Sequence, residues 1–403
     1  MNQTIRKRIE DIKNGIVPEG YKTTKVGVIP DGWSLYKINE ISTEIHDNPG
    51  DREYETLSIS AGIGFVNQAN KFGKEISGAQ YSKYTVLRKG DFSYNKGNSK
   101  KYPQGCIYQL KDRQVAAVPN VFESFRLAQG HNEYYEQLFV SGYLNSQLFS
   151  KINHGVRDDG LLNLRGDDFY SCYIPFPSII EQEKIAEILS AQDRLIFLKE
   201  KLIEQKKQQK KYFMQQLLTG KKRLHGFTGA WKKIKLENLA EIETGKADTQ
   251  DKVDNGLYPF FVRSETVERI NTFAYEGEAI LTPGDGKIGE IYHYIDGKFN
   301  FHQRVYKISD FKECYGKFIF YYLTLFFKKR ALTMTAKATV DSIRRDMLTG
   351  MTIHLPQIEE QQSISNILSQ AYKEIELLQK DLEEEKRKKK ALMQLLLTGI
   401  VRV

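Results

Sequence analysis

Two stretches of this 403-residue chain decide its fold. Residues 177–189 read PSIIEQEKIAEIL and residues 356–368 read PQIEEQQSISNIL, an offset of 179 (356 minus 177). The match continues without a gap to MQQLLTG at 214–220 and MQLLLTG at 393–399, with 21 identities in the 44 positions from 177 to 220. A match of this length at one fixed offset indicates an internal duplication.

Each copy of the repeat is typical of one long helix. Pro177 and Pro356 stand just before its start, where a missing N–H costs least. Gly220 and Gly399 stand just past its end, as left-handed cap residues do. Apolar residues recur in alternating steps of four and three, which is the heptad pattern of helices that pair. The predicted seam contains Ile185, Leu189, Ile196, Ile203, Phe213, Leu217, Ile364, Leu368, Ile375, Leu378, Leu382, Leu392 and Leu396.

Both seams turn polar at the same place, at positions 206 and 210 and at positions 385 and 389. A solvated segment of a coiled coil has this pattern, and so does a face presented to a partner or to DNA. The lysine-rich ends of the two helices add positive charge near their C-termini, which the helix dipole favours. These lysines either cap and solubilise the helices or contact phosphates or a partner protein.

The repeat extends upstream of the helices into two globular modules. Trp33 matches Trp231 at an offset of 198, so the second module is 19 residues shorter than the first (198 minus 179). The ends of the modules match while their middles differ, which suits one scaffold that carries two different readers. The predicted boundaries are 1–20 for an N-terminal helical segment, 21–175 and 221–354 for the modules, and 176–220 and 355–403 for the helical spacers.

Composition limits the class of protein. The net charge is +9, from 60 basic and 51 acidic residues, which suits a polyanionic partner, although a ribosomal or membrane-surface protein would also match. Three scattered cysteines predict neither a disulfide framework nor a zinc site and favour a reducing cytoplasm. The first residues lack the apolar core of a signal peptide, and no apolar run reaches the ~18 residues of a membrane helix.

Polar loops between strand-like segments supply the candidate DNA contacts. The loop NKGNSKKYP at 95–103 places Asn, Lys and Ser donors beside tyrosines, which suits phosphates and base edges, although an ordinary surface turn looks alike. The candidates in the first module are Tyr94, Lys96, Asn98, Ser99, Lys100, Lys101, Tyr102 and Arg157. Those in the second are Asp285, Lys287, His302, Gln303, Arg304, Lys337 and Thr339.

The common catalytic patterns are missing. GDGKIG at 284–289 has the form GxGxxG, but a nucleotide site needs a helix after it, and EIYHYI at 290–295 alternates like a strand. We therefore predict a hairpin turn there. The sequence has no phosphate loop, nucleophile elbow, Pro-Pro pair or metal-like histidine spacing, and EQK at 204–206 lies inside a helix. We predict no catalytic, cofactor-binding or metal-binding residue in this chain.

The motifs together resemble those of the specificity subunits of type I restriction-modification systems, and the resemblance covers nearly the whole chain. Its helix entries and exits occur twice, and segments common in its target-recognition domains occur in both modules. The motifs are DGW at 31–33, GDFSYNKG at 90–97, IPFP at 174–177 with EQ at 181–182, FHQRVY at 301–306, IHLP at 353–356 with EQ at 360–361, and LLTG at 217–220 and 396–399.

The resemblance implies a mixed α/β fold: two α+β target-recognition domains separated by two long helices that form an antiparallel coiled coil, in a pseudo-two-fold internal repeat. Each domain would read one half of an asymmetric, bipartite DNA site. The partners would be two methyltransferase subunits and two restriction subunits, which carry the S-adenosylmethionine, ATP and Mg²⁺. The alternatives are a non-catalytic coiled-coil scaffold and the specificity module of a fused restriction enzyme.

Overall fold

The structure is a computed structural model and describes residues 3–74, 77–97, 101–152, 162–334 and 342–403. The chain divides into two compact units. Unit 1 comprises Met1–Leu198 and Leu382–Val403, and unit 2 is the continuous stretch Lys199–Asp381. Each long helix contributes one part to each unit, so neither predicted helical spacer forms a unit of its own.

Unit 1 is built from short strands and helices that precede the first long helix. Its helices are α1 (Gln3–Lys13), α2 (Ile38–Ile41), α3 (Gln68–Phe72), α4 (Asn132–Val140), α5 (Asn145–Lys151) and α6 (Gly166–Tyr170). Its strands are β1 (Tyr21–Thr24), β2 (Gly27–Pro30), β3 (Ser34–Lys37), β4 (Ser42–Glu44), β5 (Leu57–Ser60), β6 (Gly64–Asn67), β7 (Thr85–Arg88), β8 (Phe92–Asn95), β9 (Cys106–Gln109), β10 (Val115–Val118), β11 (Glu123–Leu127) and β12 (Tyr173–Phe176).

An antiparallel sheet in the order β4-β11-β8-β9 forms the centre of the first module. The two strand-like segments predicted on either side of the loop at 95–103 are β8 and β9, and they pair with each other. Phe92 and Tyr94 of β8 and Phe125 of β11 point into one core, where the rings of Phe92 and Phe125 stack with centroids 5.4 Å apart. The first half of one long helix and the last half of the other complete this core through Ile185, Leu189 and Leu396.

Unit 2 holds a larger sheet. Between the long helices α7 (Ile179–Leu217) and α10 (Ile358–Leu396) it contains β13 (Lys232–Lys235), β14 (Glu241–Thr244), β15 (Tyr258–Phe261), β16 (Val267–Ile270), β17 (Tyr275–Pro283), β18 (His293–Phe301), β19 (Val305–Ser309), α8 (Gly316–Met334), α9 (Arg345–Thr349) and β20 (Thr352–Leu355). Six strands lie in the order β14-β19-β17-β18-β15-β16. β17 and β18 are antiparallel neighbours, so the GxGxxG segment joins two strands as predicted and opens no helix.

The beginning and end of each module meet in a two-stranded pair. β3 pairs with β12 in the first module, and β13 pairs with β20 in the second, in the same register relative to the tryptophan that precedes each pair. The residues after the Trp thus lie beside the residues that lead into the long helix. This pairing explains why the ends of the modules match in sequence although their middles differ.

The two long helices have equal lengths of 39 residues. Gly220 and Gly399 both adopt left-handed φ values, 67° and 71°, so the predicted cap position is confirmed in each copy. The amides of Lys222 and Val401, two residues further on, bond to the carbonyls of Gln216 and Leu395 at 3.1 and 2.9 Å, which satisfies the last turn. Every predicted seam residue is buried or half-buried.

The helices contact each other in opposite directions within each unit. In unit 1, Gln192 donates to the Glu385 carboxylate at 2.8 Å and Lys389 pairs with Asp193. In unit 2, Lys199 pairs with Asp381 and Lys206 with Glu374 at 2.6 Å, and the Lys210 ammonium lies 3.7 Å from the centre of the Tyr372 ring. The polar seam positions of both copies therefore contact the other long helix.

Candidate nucleic-acid interface

The EQ pair at the start of each long helix anchors its module. The buried Glu181 accepts from the Trp33 indole at 2.9 Å and from Arg402 at 2.8 Å. The adjacent Gln182 donates to the Pro177 carbonyl at 2.9 Å and accepts from the His131 amide at 2.8 Å.

The second copy repeats these contacts. The buried Glu360 accepts from Trp231 at 3.2 Å and from Arg223 at 2.7 and 2.8 Å. Gln361 donates to the Pro356 carbonyl and accepts from the Tyr315 amide, both at 2.8 Å. Arg223 and Arg402 also stand 179 residues apart (402 minus 223). We call the Trp, Glu, Gln and Arg of each copy the anchor.

Three chain segments converge where β17 ends and β19 begins. The Gly284 amide bonds to the Arg304 carbonyl at 2.7 Å, and the Gln303 amide bonds to the Ala247 carbonyl at 2.8 Å. A side chain at Gly245 would place its Cβ 1.9 Å from the Phe301 carbonyl oxygen, so the loop after β14 reaches this position because residue 245 is glycine. These bonds fix the backbone from which the polar side chains of the second module project.

One carboxylate organises two arginines at this position. Asp285 Oδ2 accepts from Nη1 of Arg304 at 3.0 Å and from Nη1 of Arg263 at 3.2 Å. The arginine side chains are 65% and 48% exposed, while that of Asp285 is 17% exposed. Burial alone would raise the pKa of Asp285, but the hydrogen bonds and charges of the two arginines outweigh it and the pKa is lowered. The carboxylate therefore stays ionised and holds both guanidinium groups.

A second carboxylate holds the neighbouring Gln303. The Gln303 side chain donates to Asp248 Oδ2 at 2.7 Å and remains exposed. His302 lies beneath this turn, where its side chain is buried and its Nδ1 accepts from the Arg304 amide at 2.9 Å. Burial lowers the pKa of His302 and the charge of Arg263 lowers it further, so the ring is neutral and can act as that acceptor. His302 positions the turn, and we correct its predicted role as a base contact.

A cleft of 520 Å³ opens beside Arg263. Arg263, Asp285 and Gly286 line it together with Thr249. Lys287, in the same turn, is exposed and lies 3.8 Å from the Glu265 carboxylate, a weak surface pair that leaves its ammonium available to a phosphate. Asp285, Lys287, Gln303 and Arg304, predicted from separate motifs, thus meet in one place.

The first module has its own charged pair where β8 ends and β11 begins. Lys96 Nζ lies 2.8 Å from Glu123 Oε1, with the lysine side chain 14% exposed, and the Leu162 amide bonds to the Lys96 carbonyl at 2.9 Å. The Tyr94 side chain is completely buried, donates to the Gln104 carbonyl at 2.7 Å and stacks on Phe169. Its predicted contact with DNA is therefore wrong, because the alternation along β8 turns this ring into the core.

Other first-module candidates lie nearer the surface. Lys101 is exposed and lies 5.7 Å from the ring centre of the half-buried Tyr102. The remaining candidates lie outside the described residues, so the structure places none of them. They are Asn98, Ser99, Lys100, Arg157, Lys337 and Thr339.

Sequence reasoning missed Arg263, Asp248 and Glu123. Arg263 follows β15 and Asp248 follows β14, in segments without a recognisable motif. Their roles arise from pairing between strands distant in sequence, and a single exposed charge gives no signal of that pairing. A polar residue just beyond a strand end was the available clue.

Neither a metal site nor a membrane-spanning helix occurs among the described residues. Among them, no group of three or more His, Cys, Asp or Glu side chains could hold a metal ion. No helix within the described ranges is long and apolar enough to cross a membrane.

Comparison with known proteins gives concordant results. The family model "Type I restriction modification DNA specificity domain" matches residues 229–386. The EcoDI specificity subunit of Escherichia coli is 32% identical over 155 residues, covering 38% of this chain and 34% of that protein. The MjaVIII specificity subunit of Methanocaldococcus jannaschii is 29% identical over 270 residues, covering 58% and 63%. The alignments thus cover between 34% and 63% of the length of these two relatives.

Solved structures show the same fold. The S subunit of the type I restriction-modification system from M. genitalium superposes with a TM-score of 0.60 at 15% identity, covering 90% of this chain and 96% of that one. A chain from a study of complex assembly and conformational transition of the type I system superposes with a TM-score of 0.54, also at 15% identity, covering 93% and 99%. The mixed α/β fold with long helices is therefore shared with these two chains. Residues 229–386 thus match the type I restriction modification DNA specificity domain, and the chain is similar in sequence to specificity subunits of type I restriction enzymes.

Proposed function

We propose that this chain recognises a bipartite, asymmetric DNA sequence, with one half-site read by each module, and that it catalyses no reaction itself. One observation carries the proposal: the anchors of the two modules are alike, whereas the polar side chains at the strand ends differ in kind and in charge. Two modules with the same anchor but different polar side chains at their strand ends suit two different half-sites. The net charge of +9 favours a polyanionic partner.

The long helices are the proposed spacer between the half-sites. Their contacts run in opposite directions in each unit, which supports one antiparallel coiled coil and a pseudo-two-fold relation between the two copies. At ~1.5 Å per residue a helix of this size is about 58 Å long, comparable with about 17 base pairs of duplex at ~3.4 Å each. A rigid element of that length can fix the distance between two half-sites.

The chemistry is assigned to partner subunits. We propose assembly with two methyltransferase subunits, which supply S-adenosylmethionine, and with two restriction subunits, which supply ATP and Mg²⁺, in the cytoplasm. Support comes from relatives named as specificity subunits of type I restriction enzymes and from a structural neighbour studied for the assembly of such a system.

The proposed DNA contacts follow from exposure. Lys287, Gln303, Arg304 and Arg263 are the surface candidates in the second module, and Lys101 with Tyr102 in the first. The candidates outside the described residues remain proposals from the sequence. Asp285 is assigned as the residue that holds two of these side chains.

The test is co-expression of this chain with a type I methyltransferase subunit from its own system in a host without other methylation, followed by mapping of methylated adenines. We expect a single motif made of two unlike half-sites separated by unspecified bases. A single short continuous motif would contradict the bipartite assignment. Absence of any motif, with the complex intact, would favour a scaffold that lacks DNA specificity.

A further inference from the structure

The geometry points to a specificity-determining pair in the second module: Arg263 and Arg304, held by Asp285, each read a guanine in the major groove. This inference rests on the proposed function and deepens it, because it states which base chemistry one half-site must contain. Arg263 carries the new assignment, since no motif in the sequence singles it out.

The hydrogen bonds of the three side chains leave one edge of each arginine free. Both Nη1 groups converge on a single oxygen, Asp285 Oδ2. Within the described part of the chain, neither guanidinium makes another hydrogen bond. The Nε and Nη2 donors of Arg263 and Arg304 therefore remain available, and a bidentate bond to guanine O6 and N7 requires such a pair of donors.

The shared carboxylate favours a base edge over a phosphate. Two arginines without a counter-charge would suit the phosphate backbone, where charge alone counts. Here an ionised Asp285 lies 3.0 and 3.2 Å from their nitrogens, and its negative charge would repel a phosphate brought to the same place. The guanine edge is uncharged, so it keeps the benefit of the donors without that repulsion.

The Asp285 carboxylate also fixes the orientation of the two guanidinium groups. A free arginine samples many rotamers, and bidentate reading of one base requires a defined plane for the guanidinium. Asp285 is itself held in place, because its neighbour Gly284 bonds through its amide to the Arg304 carbonyl and through its carbonyl to the Ile343 amide, both at 2.7 Å. Asp285 is thus a positioning residue, and the two arginines are the readers.

The test compares variants that keep charge with variants that keep shape. Arg263→Lys and Arg304→Lys retain the positive charge and lose the fork, while Asp285→Asn retains the shape and loses the ionic hold. Lys312→Gln is the matched control: it removes one exposed charge of the same module beyond the opposite end of β19. Each variant is assembled with the methyltransferase, and its binding is measured on duplexes that carry the mapped site.

The probe is a duplex in which one guanine at a time is replaced by 7-deazaguanine, which lacks the N7 acceptor. We expect each arginine variant to weaken binding about 10- to 100-fold and to become insensitive to the substitution at one particular guanine. Asp285→Asn should reduce discrimination at both guanines together. Lys312→Gln should retain full sensitivity at each guanine, and recognition of the other half-site should be unchanged in all variants. Each arginine variant should keep its sensitivity at the guanine read by the other arginine, which reports that the second module is folded.

Two results would overturn the inference. The first is a bipartite motif in which neither half-site contains a G·C pair, or in which no arginine variant alters the response to 7-deazaguanine; the bipartite function would stand while the guanine assignment fell. The second is uniform weakening on all sequences with a salt dependence reduced by about one phosphate contact, which identifies the arginines as backbone contacts. Failure of the bipartite function itself would be seen earlier, in the methylation map of the unmodified chain.

Discussion

The two modules place an ion pair in corresponding positions but with opposite polarity. In the first module, Lys96 follows β8 and pairs with Glu123 at the start of β11. In the second module, Asp285 follows β17 and pairs with Arg304 just before β19. The anchors behind these pairs have the same residues and similar distances. The anchor is thus kept in both modules while the charged pair at the strand ends changes.

The largest effect, on the distance between the half-sites, is expected from lengthening the two long helices without changing either module. Duplication of residues 192–198 in α7 and of 375–381 in α10 adds one heptad to each helix and preserves the contacts within each unit. The spacer should lengthen by about 10 Å, or about three base pairs, while both half-sites stay the same. The methylation map measures this change.

The control for this insertion is a heptad added to α7 alone. The two helices then differ in length by seven residues, so the helix-to-helix contacts of both units cannot be kept at once and the complex should be destabilised. A changed half-site in the doubly extended chain would contradict the proposal that the helices set only the spacing and the modules only the half-sites.

Removal of an anchor carboxylate tests whether the two anchors contribute equally to the free energy of unfolding. Glu360→Ala leaves the Trp231 indole and the Arg223 guanidinium without their acceptor and should lower the free energy of unfolding by about 3 kcal/mol. Glu181→Ala should cost a similar amount through Trp33 and Arg402. Denaturant unfolding measures both, with the exposed Glu359→Ala as the control that costs less than about 0.5 kcal/mol. A large difference between the stability losses of the two variants would show that the anchors are not equivalent.

Alanine at Gln303 and Arg304 tests whether the second module recognises one half-site only. These side chains project from the second module, so the double variant should weaken recognition of one half-site about 10- to 100-fold and leave the other unaffected. Methylation of duplexes with one altered half-site at a time measures this asymmetry. Equal loss at both half-sites would contradict the assignment of one module to each.

The smallest effect is expected where the two helices use different bonds at matched positions. Asp193 with Lys389 in one copy corresponds to Tyr372 with Lys210 in the other. Asp193→Asn should cost about 0.5 kcal/mol at low salt and less at 1 M salt, because screening weakens a partly exposed ion pair. Lys210→Gln should lower the free energy of unfolding by about 0.5–1 kcal/mol with little salt dependence, because the half-buried ammonium contacts the uncharged face of the Tyr372 ring. Thermal unfolding at two salt concentrations separates them.

The sequence predicted the parts of the fold that follow from periodicity. The two long helices, their glycine caps and the joining of two strands by the GxGxxG segment were correctly predicted, because each depends on local geometry, although the second strand begins at His293 and not at residue 290. Tyr94 and His302 were wrong as DNA contacts, because their burial depends on how strands pair. Arg263 was missed for the same reason, since its link to Asp285 crosses 22 positions of the sequence (285 minus 263).

The contact of Arg402 with Glu181 has a consequence for the order of folding. Unit 2 is continuous, so all of its contacts can form once residue 381 has been synthesised. Unit 1 is interrupted by unit 2, and its glutamate must wait for an arginine made 221 residues later, across a loop that costs entropy to close. The second module should therefore gain protection from proteases on the nascent chain before the first, although it begins later in the sequence.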